Sequence, residues 1–526
     1  MVRLGHGSGG YRRALGLLLL VAGVPLAAQD AKPPTNPSPG AGLEQGRKFL
    51  AAGDLDRARV SLETALAQDP ASAEAHYLLG LVAERRKDLA AAAASFAAAV
   101  QHAPGMAKAH DRLGFVLGQQ GKTHEAIREF ERAVLLDPSL FDAQYHLGAT
   151  RWWTRDFIGA RPALAEAVRL RPEHAEARYY LGLTLEHDGD LDGAVRELRE
   201  AVRLNPRLVA AQTRLGLALR AAGDLDGAIA HLQTAARIDP SAPEAANNLG
   251  LVLSEAGRGD EAVAVLRRLA SAQPEYLAAR LNLGTALMQG GNLAEAIRVL
   301  QELVGVAPQN AEAFYNLGLA LKQHDDFAAA ETALRRAMSL DASLPEAPFT
   351  LGVVLWQTGR AEDAPEQFRE AIRRKRDYSE AHYMLATVLK QQGAFADAIG
   401  ELREAIRYQP ASAEAHHSLG QLLQQQGQTE AGAAELEEAD RLRRRLADAQ
   451  ASTFAVGAGM QKLEAGDYPG AILQFREAVR RSPDNARAHY QLGLALQHTG
   501  AGAEARTHFA EAQRLSPRLT PPEGGR

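Results

Sequence analysis

The sequence predicts an all-α chain, a solenoid of about fourteen 34-residue helix–turn–helix repeats. Three observations predict it. Glycine recurs in steps of 34, at Gly46, Gly80, Gly114, Gly148, Gly182, Gly216, Gly250, Gly284, Gly318 and Gly352; the register continues through Ala386 to Gly420, slips by five residues, and resumes at Gly459 and Gly493. Between these marks apolar residues recur three and four apart, as in Leu79, Val82 and Ala83, then Ala92, Phe96, Ala99 and Val100, which is the period of a helix with one buried face. Glycine and proline punctuate the pattern at fixed offsets, and no β pattern competes.

Numbering each repeat so that its recurring glycine is position 8 assigns every other element. Glycine at position 15 in eleven copies, as at Gly53, Gly189, Gly223 and Gly291, fits a left-handed residue closing the first helix. Position 20 is alanine in every copy except Gly432, position 24 is always Leu or Phe, and position 27 is alanine in twelve copies, the exceptions being Leu269 and Leu303. Small residues at 8, 20 and 27 let the two helices approach, and the residue at 24 fills the space between them. Proline at position 32 in eleven copies, from Pro70 to Pro517, ends the second helix. One such pair cannot bury its apolar face alone, so stability accumulates along the stack.

Residues 1–28 stand apart. Arg3, Arg12 and Arg13 precede the apolar run Ala14–Leu26, and Leu26-Ala27-Ala28 ends it before Gln29, which is the outline of a cleaved bacterial secretory signal peptide. The run is short for a membrane span and holds Pro25. Residues 29–38 read as a disordered Pro-rich linker, 39–446 as repeats one to twelve, 452–519 as repeats thirteen and fourteen, and 520–526 as a disordered tail. The insertion at 447–451 follows a charged helical stretch, Thr429–Gln450, in which Glu437 with Arg441 and Asp440 with Arg444 are spaced for ion pairs. Two outcomes fit it: a hinge that offsets the last two repeats, or an overlong second helix with stacking preserved.

These positions resemble the tetratricopeptide repeat, whose signature has small residues at 8, 20 and 27, a large apolar one at 24 and proline at 32. The resemblance covers residues 39–519, with one departure: position 4, often Trp in the family, is here mostly His, Gln or Arg. It implies a right-handed superhelix whose first helices line a concave groove for protein or peptide partners.

Composition narrows the function. Net charge is −5 over 526 residues with both signs interspersed, which leaves no electrostatic footprint for nucleic acid. With no cysteine, disulfides and a lipoprotein anchor are excluded. No catalytic arrangement survives: Gly121-Lys122-Thr123 falls in an interhelical turn without a preceding strand, and Val116 stands where a phosphate loop needs glycine. His76, His110, His382, His416 and His489 all occupy position 4, and that recurrence points to packing rather than metal ligation. The expected protein is not an enzyme and carries no cofactor or metal.

The resemblance places groove-facing side chains at positions 2, 5, 6, 9, 12 and 13. Glutamates at position 2, such as Glu74 and Glu176, sit in the first helical turn, where the macrodipole favours them. Position 6 gives Asn248, Asn282 and Asn316, and position 13 gives Gln289, Gln323, Gln357, Gln391 and Gln425. An amide offers a donor and an acceptor together, so such rows suit an extended peptide backbone. The asparagines are similar to a ladder in the groove of O-linked N-acetylglucosamine transferase, whose catalytic domain has no counterpart here. Earlier repeats offer an aromatic and basic stretch, with Tyr145, Tyr179, Tyr180, Trp152, Trp153, Arg112 and Arg214; Trp356 falls at position 12 of repeat ten. The clamp by which some family members hold a chaperone carboxylate is not matched, because no Lys occupies position 5. The expectation is an exported, periplasmic or secreted scaffold that binds extended protein segments and has no stable membrane span after signal removal. The alternatives are a polysaccharide-binding scaffold and a spacer using its convex face.

Overall fold

The computed structural model describes residues 40–516 and Leu519, so the expected signal peptide (1–28), linker (29–38) and tail (520–526) lie outside the described residues. Among the described residues there are 27 helices and no strand, from α1 (Ala41–Ala51) and α2 (Leu55–Gln68) to α26 (Ala486–His498) and α27 (Gly502–Leu515). They form an α-solenoid of helical hairpins, grouped into two compact units divided after Ala286. No helix among them is long and apolar enough to cross a membrane.

Each hairpin follows from its sequence. Position 15 is left-handed in all fourteen repeats: at the eleven glycines, and also at Lys87, Arg155 and Asp325, with φ of 62°, 63° and 64°. The next N–H then turns back onto the helix, as Asp54 N–H to the Phe49 carbonyl at 2.9 Å and Asp88 N–H to the Ala83 carbonyl at 3.0 Å, which satisfies carbonyls the helix end leaves open. Aspartate at position 16 caps many second helices; Asp54 accepts from Arg57 N–H and Asp190 from Gly193 N–H, at 3.0 and 2.9 Å. In repeat ten Pro365 delays the second helix, which starts only at Ala364.

The interior is built from the predicted positions. Ala92, Phe96 and Ala99 have no exposed surface, and the same holds for Ala194, Leu198 and Ala201. Glycine at position 8 is required by close approach: a Cβ on Gly80 would lie 2.5 Å from the Phe96 ring, and one on Gly148 2.6 Å from Leu164 Cγ.

Position 4, the departure from the family pattern, has a structural job. The ring Nε2 of His110, His382, His416 and His489 donates to the carbonyl six residues earlier, at 3.1–3.2 Å, tying the first helix to the preceding turn. Gln144 and Gln212 make the same bond at 3.0 and 2.9 Å, and Arg178 makes it at 2.6 Å. On the other side Nδ1 of His110, His382 and His416 faces Glu129, Glu401 and Glu435 at 2.6 Å. His, Gln and Arg share a donor of sufficient reach, which is why these types recur there.

At the insertion the chain runs on as helix. α24 (Thr429–Glu464) is one helix of 36 residues, joining the second helix of repeat twelve to the first of repeat thirteen. No glycine or proline lies between Gly432 and Gly457, so nothing stops it. Its ion pairs are Arg441–Glu438 and Arg443–Asp440 at 2.6 and 3.2 Å, three residues apart rather than the four expected. Stacking is not preserved there. Position 3 is a buried alanine in most repeats but Phe454 in repeat thirteen, and Phe454 is 81% exposed. Asp440 is exposed at position 28, where most other repeats have Val, Ile or another apolar residue. Repeats thirteen and fourteen have a core of their own, centred on Phe475, Leu492, Leu496 and Phe509.

Candidate functional site

In the first unit the expected aromatic residues come together. α7 (Phe141–Trp153) carries Tyr145 on its second turn and Trp152 and Trp153 at its end; α9 (Ala175–His187) lays Tyr179 and Tyr180 beside them. The rings meet at steep angles: Trp152 and Trp153 at 87°, Trp152 and Tyr180 at 61°, Tyr179 and Tyr180 at 64°, with centroids 5.2–5.6 Å apart. Edge-to-face packing of this kind is favoured by the ring quadrupoles. Trp153 donates its N–H to the Tyr180 hydroxyl at 3.2 Å and is 41% exposed, so it lies at the outer edge of the cluster. The Trp152 N–H is buried without a hydrogen-bond partner, a standing cost of roughly 1–3 kcal/mol. Burial pushes the Tyr145 and Tyr179 hydroxyls well above their ordinary pKa, with Tyr180 adding to both. They remain hydrogen-bond donors over the physiological range.

The basic part of the stretch is neutralised. Arg112 lies 3.4 Å from Glu84 and Arg214 lies 3.7 Å from Glu186, each pair reaching from position 6 to position 12 of the preceding repeat. His146 meets the buried Asp111 at 2.8 Å. Burial pushes Glu84 up, opposed by Arg112. The glutamates and Asp111 were not among the expected site residues; their signal is a spacing of 28 or 35 to the arginine or histidine they meet.

The amides divide in the same way. Asn282 donates to the Asn247 carbonyl oxygen at 2.8 Å, and Asn247, at position 5, is a buried member that the sequence reading missed. Asn248 is half-buried and makes no side-chain hydrogen bond. In the second unit Asn316 is half-buried with its amide likewise unused. There Trp356 donates to Gln391 at 2.9 Å, joining two of the expected residues across adjacent repeats. Gln289, Gln323, Gln357, Gln391 and Gln425 are each the last residue of their helix, and all are exposed. Side chains 35 residues apart are thus lateral neighbours, and one member of each row bonds to the position before it in the preceding repeat. Among the described residues no group of three or more His, Cys, Asp or Glu could hold a metal ion.

Sequence models described as tetratricopeptide repeat match residues 43–107, 151–209, 315–380 and 456–519, and others of the same repeat match 253–318, 107–140 and 413–445, with further matches at 216–257 and 387–427. Comparison with curated proteins gives no match. Among solved structures, YrrB, described as a TPR protein with an unusual peptide-binding site, is 23% identical over 35% of this chain and 95% of its own, with a TM-score of 0.33. PilF of Pseudomonas aeruginosa is 20% identical over 39% of this chain and 93% of its own, with a TM-score of 0.36. Yeast Tom70 is 15% identical over 77% of this chain and 96% of its own, with a TM-score of 0.38. With its 34-residue register, its helical hairpins and family matches along its length, the chain belongs to the tetratricopeptide repeat family.

Proposed function

We propose that this protein is a non-enzymatic scaffold that is exported to the cell envelope and binds extended segments of partner proteins along the face formed by its first helices. Repeats of this family generally serve as interaction scaffolds, and their partners are proteins or peptides. The observation that carries the reading is the set of unused hydrogen-bonding groups at positions 5, 6 and 13: Asn248 and Tyr179 in the first unit, Asn316 and the glutamines Gln323 and Gln357 in the second. A half-buried amide in mid-helix is a poor choice for helix stability but a good one for a peptide backbone, which needs a donor and an acceptor at regular intervals. Export rests on the basic start and apolar run of residues 1–28, and the role in envelope assembly or secretion rests on export.

The test is a photoreactive residue at Asn248, compared in living cells with one at the exposed Arg199 on a second helix. The expected result is one discrete envelope protein captured from Asn248 and not from Arg199, with capture reduced when Asn282 and Asn316 are changed to Ala. Capture from Arg199 alone would mean that the protein works through its outer helices as a spacer.

A further inference from the structure

We propose that His489 and His508 of repeat fourteen form a two-histidine site for a divalent transition-metal ion such as zinc or copper. The site is independent of the groove reading above, because positions 4 and 23 are not among the groove positions.

The geometry of the pair carries the inference. Nδ1 of His489 and Nδ1 of His508 are 3.0 Å apart, with the rings tilted by 40°. Each ring turns its other nitrogen to an acceptor: Nε2 of His489 donates to the Pro483 carbonyl at 3.1 Å, and the Glu504 carboxylate stands 4.0 Å from Nε2 of His508. Such partners favour the proton on Nε2 and leave the Nδ1 lone pairs facing one another. Two nitrogens bound about 2.0–2.1 Å from one ion stand about 3.3 Å apart in a tetrahedron, and about 2.9 Å apart as neighbours in a square plane. The observed separation lies between these values, so an ion can replace the proton that otherwise bridges the pair with only small ring movements. His489 is buried and His508 half-buried. Both line an open hollow with Val479, Thr507, Glu511 and Arg514, which gives an ion its way in.

Repeats three, eleven and twelve show why this pair differs. There position 23 is a glutamate, and Nδ1 of His110, His382 and His416 meets Glu129, Glu401 and Glu435 at 2.6 Å. A carboxylate beside an imidazole holds a proton firmly, and a metal ion must displace that proton to bind. Repeat fourteen is the one with histidine at both positions. Its second imidazole brings a lone pair without a negative charge, so the bridging proton is held weakly, in line with the lowered pKa of His508. The neighbouring carboxylates are engaged elsewhere, Glu504 with Arg476 at 2.8 Å and Glu511 with Arg514 at 2.6 Å. The two imidazoles therefore supply the protein ligands and water completes the shell, which makes the site weaker than a three-ligand zinc centre.

The experiment titrates zinc chloride into the full chain by calorimetry and records the electron paramagnetic resonance of one bound equivalent of cupric ion. One zinc ion is expected per chain, and the copper spectrum should report two nitrogen ligands. Amide protection in repeat fourteen should rise by about tenfold at ten times the half-saturating zinc concentration, because the ion binds the folded form. Two variants remove a ligand without removing the fold. His489→Gln keeps a donor for the Pro483 carbonyl, as Gln144 and Gln212 do at position 4 of their repeats. His508→Glu gives repeat fourteen the pairing with which repeats three, eleven and twelve already fold. Each should weaken zinc binding by about tenfold or more with unchanged helical circular dichroism, and His416→Gln should leave it intact. Absence of zinc binding by the parent chain would overturn the proposal. Binding that persists unchanged in His489→Gln or His508→Glu, or is lost in His416→Gln, would place the ion elsewhere and overturn it too.

Discussion

Lys87, Arg155 and Asp325 hold backbone conformations that eleven other repeats give to glycine. Their φ values of 62–64° place a Cβ against the following carbonyl, at a cost of roughly 1–2 kcal/mol for an ordinary residue. All three side chains are exposed, with no ion pair or hydrogen bond to lose. Glycine gives back roughly 0.5–1 kcal/mol through its freer unfolded chain. Lys87→Gly and Arg155→Gly are therefore each expected to stabilise by about 0.5–1 kcal/mol. Asp325→Gly should gain less, because a short polar side chain tolerates the left-handed region better. A repeat array does not melt as one unit, so the reporter should be local. The Asp88 N–H, bonded to the Ala83 carbonyl at 3.0 Å, closes the turn that contains Lys87. Its hydrogen exchange should slow by about two- to fivefold in Lys87→Gly if opening is local. Unchanged or faster exchange, or a larger gain at Asp325 than at Lys87, would refute the reasoning.

Three further outcomes are expected. Gly80→Ala should cost about 1–3 kcal/mol by urea titration, because its Cβ would meet the Phe96 ring at 2.5 Å. The two ends of the pH range should act on different repeats. Although burial works against charge on the His382 ring, its hydrogen bond to Glu401 raises its pKa, so its contribution is full below the unfolded value near about 6.5 and is lost as pH rises through the folded one. His508 is lowered by burial and then by His489, 3.0 Å away; its contribution is present above the unfolded value and lost as pH falls. Amide protection factors in repeat fourteen, with the intrinsic slowing of exchange in acid divided out, should therefore fall as pH falls, and His508→Glu should remove the effect, whereas a flat profile would exclude it. Finally, Ala449→Pro should break α24 at a local cost of about 3 kcal/mol or more. Repeats thirteen and fourteen should stay folded on their own core, giving a stable fragment on limited proteolysis; loss of that fragment would show that they depend on repeat twelve.

Much of the fold was legible because each decisive position repeats. The glycine at position 15 predicted the left-handed turn, and the turn persists even where Lys87 replaces glycine, since thirteen neighbours of the same design fix the geometry. The break in the array was half legible. The five-residue slip marked the place, but a single 36-residue helix was decided by the absence of any stop signal between Gly432 and Gly457. Phe454 at a position otherwise held by alanine was available as a signal of open stacking and carried no weight on its own.

For the site, the 34-residue period by itself determined which residues occupy equivalent positions of successive first helices, and the family resemblance implied which of those positions line a groove. Neither determined which of them are free. Asn282 and Asn248 look alike in the sequence, yet Asn282 donates to Asn247 at 2.8 Å and Asn248 makes no such bond. Arg112 and Arg214 read as a basic surface, yet each faces a glutamate 28 residues earlier. These pairings exist only once neighbouring repeats are stacked side by side. Only then do side chains 27, 28 or 35 residues apart come within hydrogen-bond reach, as Trp153 with Tyr180, Arg112 with Glu84 and Trp356 with Gln391. The local pattern set by periodicity fixed the helices, and the lateral contacts that decide which groups are left for a partner arose from tertiary stacking.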